Sequence, residues 1–140
     1  MGARRTGREA ALKMLFQMEA SGEDAERTVT LFWRSFGEDA EGRDYADVAL
    51  RGIAETLVSV DDQITKASAH WRLERMTRVD RNVLRLGAWE LMHRLDVPRA
   101  VVLDEAVELA KMYGTDESSA FVNGVLNRVA EALGRKDTDR

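Results

Sequence analysis

Arg5, Arg8, Leu12 and Phe16 follow one another at intervals of three and four, the spacing that places side chains along one stripe of an α-helix. Guanidiniums neutralise phosphates, and an aromatic ring offers a surface on which an unpaired base can stack. With Arg4 beside it, the stripe therefore suits RNA. The same spacing fits a solvated N-terminal helix whose Phe16 completes the core. Arginines in a first turn also face the positive end of the helix dipole, a cost in helix stability that favours a functional reason for them. Residues 1–13 carry Arg4, Arg5, Arg8 and Lys13 against Glu9, four cations less one anion for a local +3, in a chain whose formal net charge is -4. The acidity lies elsewhere, at residues 23–26, at 38–47 and near Asp104. This asymmetry allows a local nucleic-acid site on an acidic protein.

Catalytic constellations are missing. The chain has no Walker A loop, no G-x-G-x-x-G and no H-E-x-x-H. His70 and His93 stand far apart without an acidic cluster, and Asp61-Asp62 reads as helix capping rather than a metal pair. No enzyme, metal or cofactor is expected. With no Cys, there is no disulfide or thiolate chemistry, which suits a reducing cytoplasm. No apolar run approaches the roughly 20 residues of a membrane span, and no apolar segment follows the basic N-terminus as in a secretory signal. A cytoplasmic protein is the expectation.

The elements that must position these residues are helical. A length of 140 residues fits one domain, and a composition rich in Ala, Leu, Glu and Arg with one Pro favours helix throughout. Hydrophobic periodicity predicts helices at about 5–20, 24–36 and 44–59, the third with Tyr45, Val48, Ala49, Gly52 and Ile53 on one face. A short fourth helix, capped by Asp61 or Asp62, runs toward His70. A fifth at about 78–94 is apolar over more than half its circumference and so is buried on several sides. A sixth at about 100–113 and a seventh, capped by Thr115 or Asp116, complete the set. The expectation is an all-α fold of about seven helices in two packed helical subdomains, residues 1–60 and 61–140. Gly124, in the last helix, predicts close approach of a neighbouring helix. Asn123 is expected to satisfy a nearby backbone group.

The run Val97 to Val129 is more specific than generic helix. Asp104-Glu105-Ala106-Val107-Glu108-Leu109-Ala110-Lys111, followed by Phe121-Val122-Asn123-Gly124-Val125-Leu126, resembles the NusB family of bacterial transcription antitermination factors, which bind RNA. The resemblance extends more weakly through the mid-chain Leu-Arg-Leu-Gly-Ala-Trp-Glu-Leu helix and the Arg-bearing N-terminus, and covers nearly the whole chain. It implies that Arg4, Arg5 and Arg8 match the arginine-rich segment that contacts boxA RNA, with Phe16 and Phe121 on the RNA face. Here Thr6-Gly7 interrupts the basic run, which is thinner than in some members. Glu117 falls by resemblance at the RNA-facing edge, where its charge would tune affinity; it also suits a helix N-terminus. Asp80 and Arg81 match the face that binds NusE, a ribosomal small-subunit protein; the pair also reads as a surface salt bridge. The implied function is antitermination: binding boxA-like single-stranded RNA in nascent ribosomal transcripts, with NusE and RNA polymerase as partners. Free homodimers occur among relatives.

Two other readings fit parts of the pattern. The same helical domain precedes a methyltransferase domain in ribosomal RNA cytosine methyltransferases, but a chain ending at Arg140 is expected to lack the nucleotide-binding domain such enzymes need. A helical adaptor using its acidic faces on protein partners, without RNA, is the second.

Overall fold

Helix boundaries fall where the sequence supplies a chemical reason to start or stop. In the computed structural model, which describes residues 2–37, 40–69 and 71–136, α1 (Ala3–Ser21) ends at Gly22. That glycine adopts φ 75°, and its N–H returns to the Met18 carbonyl at 2.9 Å. Asp24 caps α2 (Ala25–Phe36), its carboxylate accepting from the Arg27 amide at 2.8 Å. Next come α3 (Arg43–Glu55) and α4 (Leu57–Ala67), then a single 3-10 turn at Leu73–Arg75. Thr77 caps α5 (Arg78–His93) by accepting from the Asp80 amide at 3.1 Å. Pro98 precedes α6 (Arg99–Tyr113), and α7 (Ser118–Ala132) closes the described chain. Among the described residues there are seven α-helices and no strand. The fold is all-α, in two packed units, Met1–Thr56 and Leu57–Arg140.

In the first unit α1 packs on α2 and α3. Leu12, Met14, Leu15, Phe32, Trp33, Leu50 and Ile53 form its core. The Trp33 indole N–H donates to Asp47 at 2.7 Å, satisfying a polar group that burial would otherwise penalise. On the surface, Arg51 holds Glu26 through two bonds of 2.7 and 3.0 Å, and these bonds keep the Glu26 carboxyl below its ordinary pKa. The tightest approach is backbone against backbone. A Cβ at Gly7 would lie 2.8 Å from the Gly42 carbonyl oxygen, and one at Gly42 would lie 2.5 Å from both Ala3 O and Gly7 N. Gly42 also adopts φ 83°. The two glycines let the first turns of α1 rest directly on the residue that opens α3.

In the second unit α5 packs against α4, α6 and α7. Leu84, Leu86, Ala88, Trp89 and Leu91 are all buried, as expected for a helix covered on several sides. Gly87 provides the close crossing: a Cβ there would stand 2.6 Å from Leu126 Cδ1 of α7. Two buried guanidiniums close the helix ends. Arg99 donates to the Arg135 carbonyl and, at 3.1 Å each, to Asn127 and Glu131. Arg135 donates to the carbonyls of Leu91 at 2.9 Å and Val97 at 2.6 Å. Terminal carbonyls that lack a helical partner are thereby satisfied.

Several sequence expectations change. The third helix does not run to 59, because the chain breaks at Thr56 and α4 starts at Leu57. Asp61 is therefore inside α4 rather than a cap, and it takes a two-pronged pair from Arg85 at 2.9 and 3.0 Å. Val48 is half exposed, the buried face of α3 being set by Ala46, Ala49, Leu50 and Ile53. Glu117, not Thr115 or Asp116, occupies the N-cap position of α7, without a side-chain cap bond; Thr115 sits in the turn before it, its hydroxyl accepting from the Glu117 amide at 3.4 Å and its amide donating to the Ser118 hydroxyl at 3.0 Å. Asn123 is exposed, and Gly124 has only the Arg128 guanidinium near it, at 3.7 Å, so the close crossing belongs to Gly87. His70, toward which the fourth helix was expected to run, lies outside the described residues.

Urea melts of the full chain test these contacts at three glycines. Gly42→Ala should destabilise by about 2–4 kcal/mol, through backbone overlap and a left-handed φ together. Gly7→Ala should cost about 1–2 kcal/mol, because the roughly 1 kcal/mol helix gain of Ala offsets part of the overlap. Gly124→Ala, where a Cβ would make only ordinary van der Waals contact with Arg128, should stabilise by about 1 kcal/mol; a loss there would mean that Gly124 is needed for packing.

Candidate nucleic-acid interface

Each unit carries a place where charge and aromatic surface meet. In the first, α1 begins at Ala3 with no acidic residue in its first turn and no side-chain cap on its N-terminus. Arg4 is exposed and Arg5 partly so. Arg8 is not: it is only 4% exposed. The Arg4 guanidinium lies 4.9 Å and that of Arg8 5.5 Å from the centre of the Tyr45 ring, within the range of cation–π attraction. Beside them is a groove of about 450 Å³ lined by Ala3, Arg4, Gly42, Arg43, Asp44 and Tyr45 among others. A second cation–aromatic contact follows on α3, where Arg43 lies 5.6 Å from the Trp33 ring centre.

The stripe read from the sequence is thus divided by burial. Leu12 is fully buried and Arg8 nearly so, while Phe16 is partly buried. Solvent-facing charge on this part of α1 rests on Arg4 and Arg5, with Arg8 buried. Gly7, which reads in sequence as an interruption of the basic run, is what allows the start of α1 to be seated against the residue that opens α3.

In the second unit a cleft of about 470 Å³ brings together Asp80, Glu117 and Phe121. Trp71, Arg75, Met76, Thr77 and Thr115 complete its lining. Trp71 is 56% exposed and meets Phe121 edge to face, their ring centres 6.3 Å apart. The helix cap fixes where Asp80 sits: it occupies the third position of α5, its amide bonded to Thr77. Its Oδ1 is buried with no hydrogen-bond partner among the described residues. Arg81 donates to the carbonyls of Met76 at 2.8 Å and Leu73 at 3.2 Å. It therefore braces the 3-10 turn that forms one wall. Glu117 is exposed at the mouth of α7.

Sequence reasoning overlooked Trp71, Arg75 and Tyr45. A tryptophan in the polar stretch Trp71-Arg72-Leu73-Glu74-Arg75, outside any amphipathic face, was the available signal for the cleft. Tyr45 gave none, because it sits at a position that periodicity assigns to the core. Among the described residues no three His, Asp or Glu side chains gather as metal ligands, and no helix is long and apolar enough to cross a membrane.

Known proteins share this arrangement along its length. The NusB family matches residues 5–131. A transcription antitermination protein NusB from Sorangium cellulosum is 69% identical over 140 residues, covering all of both chains, and one from Myxococcus xanthus is 47% identical, over 96% of this chain and 99% of its own. Among solved structures, T. maritima NusB superposes with a TM-score of 0.82 at 42% identity, over 91% of this chain and 90% of that one. A NusB crystallised with NusE in complex with double-stranded RNA gives 0.84 at 25% identity, over 93% and 97%. Helical fold, family match and end-to-end identity agree: the chain belongs to the NusB family.

Proposed function

We propose that this protein is a non-catalytic transcription antitermination factor. In this reading it binds boxA-like single-stranded RNA in nascent ribosomal transcripts, together with NusE, within the antitermination complex of RNA polymerase. The observation that carries the reading is the end-to-end match to NusB proteins, one of which is solved with both NusE and RNA. Geometry supports it in each unit. Arg4 and Arg5, with Arg8 beneath them, supply cations for phosphates. Phe121 offers a ring for a base, Phe16 is the second aromatic of the RNA surface, and Glu117 tunes affinity by repelling phosphate. Asp80, whose buried oxygen needs a donor, is the contact for NusE, and Arg81 holds its surroundings in place.

Filter binding with a boxA-like oligonucleotide and a scrambled control tests the reading. The wild type should prefer the boxA-like strand. Arg4→Ala with Arg5→Ala should weaken binding and flatten the fall of log K with log salt by about 1.4, at roughly 0.7 per phosphate contact on a single strand. Arg8→Ala is a poorer probe, since its burial joins a stability loss to any loss of RNA contact. Equal affinity for both strands would remove the RNA role and favour an adaptor.

A chain this acidic neutralises few phosphates alone, so NusE should tighten RNA binding by about 5–150-fold, and linkage requires RNA to tighten NusE by the same factor. Asp80→Arg should weaken NusE binding and leave RNA binding by the isolated chain nearly unchanged. Calorimetry in both orders of addition measures each term. An RNA dissociation constant indifferent to NusE would reduce the protein to a shared scaffold.

A further inference from the structure

We propose that Tyr45 is a positioning residue for RNA binding: its ring holds Arg4 and Arg8 on one surface, so that the cluster meets phosphate already assembled. The inference rests on the RNA reading above and extends it to a residue that no motif in the chain marks.

Two guanidiniums lie within 5.5 Å of the centre of the same ring. Like charges gathered on one side chain repel one another, and the negative face of the ring offsets part of that repulsion. An incoming phosphate offsets the rest, so the arrangement is biased toward an anion. The two cations differ in exposure: Arg8 is buried and Arg4 open to solvent. Arg8 therefore builds local positive potential from below, while Arg4 makes the outward contact, beside the groove that Arg4, Arg43 and Tyr45 share.

The backbone fixes the ring before either arginine is placed. Tyr45 lies in the first turn of α3, three residues after Gly42, and its Cβ is among the atoms that a side chain at Gly7 would strike, at 3.1 Å. The glycine contact therefore sets the distance between the arginine-bearing turn of α1 and the Tyr45 ring. A long arginine loses rotamer freedom when it binds phosphate, and one already held on a ring loses less. Preorganisation of this kind needs the ring face and not the hydroxyl.

The test compares Tyr45→Leu and Tyr45→Phe in the full-length chain by salt-dependent binding of the boxA-like oligonucleotide, with a melt of each variant. Leucine keeps the Cβ beside Gly7 and most of the apolar volume but removes the ring. Tyr45→Leu should weaken binding about 10-fold, equal to about 1.4 kcal/mol. Its salt slope should be shallower by about 0.7, one phosphate contact. Phenylalanine in place of Tyr45 should restore both values. A folded Tyr45→Leu with wild-type affinity and slope overturns the proposal. So does a loss that phenylalanine fails to restore, because the hydroxyl would then be the active part. Should Tyr45→Leu fail to fold, nitrogen relaxation of the wild-type side chains decides: the Arg4 Nε–H should be more ordered than that of the exposed Arg34, and equal mobility overturns the proposal. Failure of the wild type to prefer the boxA-like strand strikes the RNA reading instead, and the relaxation comparison still reports on the ring.

Discussion

Before the arginines of the first unit can take their places, two stretches of backbone have to touch. Ala3 and Gly7 on α1 come against Gly42 so closely that a single Cβ on either glycine would overlap main-chain atoms. Side chains yield to crowding by changing rotamer; carbonyl oxygens and amide nitrogens on helices yield only if the helix moves. The contact thus acts as a fixed stop for the start of α1. From it follow the burial of Arg8, the exposure of Arg4 and the placement of both over Tyr45. A helix start with no side-chain cap and no acidic first turn is intrinsically weak, and tertiary seating supplies what local chemistry does not.

The second unit solves a different problem. A helix wrapped by three others leaves little surface for polar groups, and the ends of its neighbours must still satisfy their carbonyls. Arg99 and Arg135 do this from within, each spreading one planar guanidinium over several acceptors that a lysine could not span. The partly buried Arg85–Asp61 pair ties α4 to α5 in the same manner. Much of the arginine in this chain is therefore structural, which is why net charge is a poor guide to the interface.

The two candidate surfaces differ in chemistry. Arginines on α1 offer charge, which in the function proposed above would position a phosphate backbone without reading it. The cleft of Trp71, Phe121, Asp80 and Glu117 offers aromatic surface and carboxylates, which repel phosphate and suit a base edge or a basic side chain. In the proposed function, a small cationic patch on an acidic protein supplies little affinity through charge alone, which leaves selectivity to the aromatic surface and to NusE.

The sequence by itself determined the all-α class, the seven helices, the burial of α5 and the family. These depend on local periodicity, on Gly and Pro at helix ends and on a motif contiguous in the chain. It also singled out Asp80, Glu117 and Phe121, which the fold gathers around one cleft. Tertiary structure decided what distance along the chain conceals. Arg5, Arg8, Leu12 and Phe16 share a helical stripe, yet α3 covers part of it, so spacing could not separate the exposed cations from the buried one. Gly7 and Gly124 look alike as helical glycines; only the tertiary structure shows that the first is pressed against the Gly42 backbone and the second meets no more than the Arg128 guanidinium at van der Waals distance. Tyr45 and Arg4 are 41 positions apart, and a cation–π contact between them leaves no periodic trace. Periodicity reports the face a helix turns toward its core, whereas a binding surface is made by which helices meet.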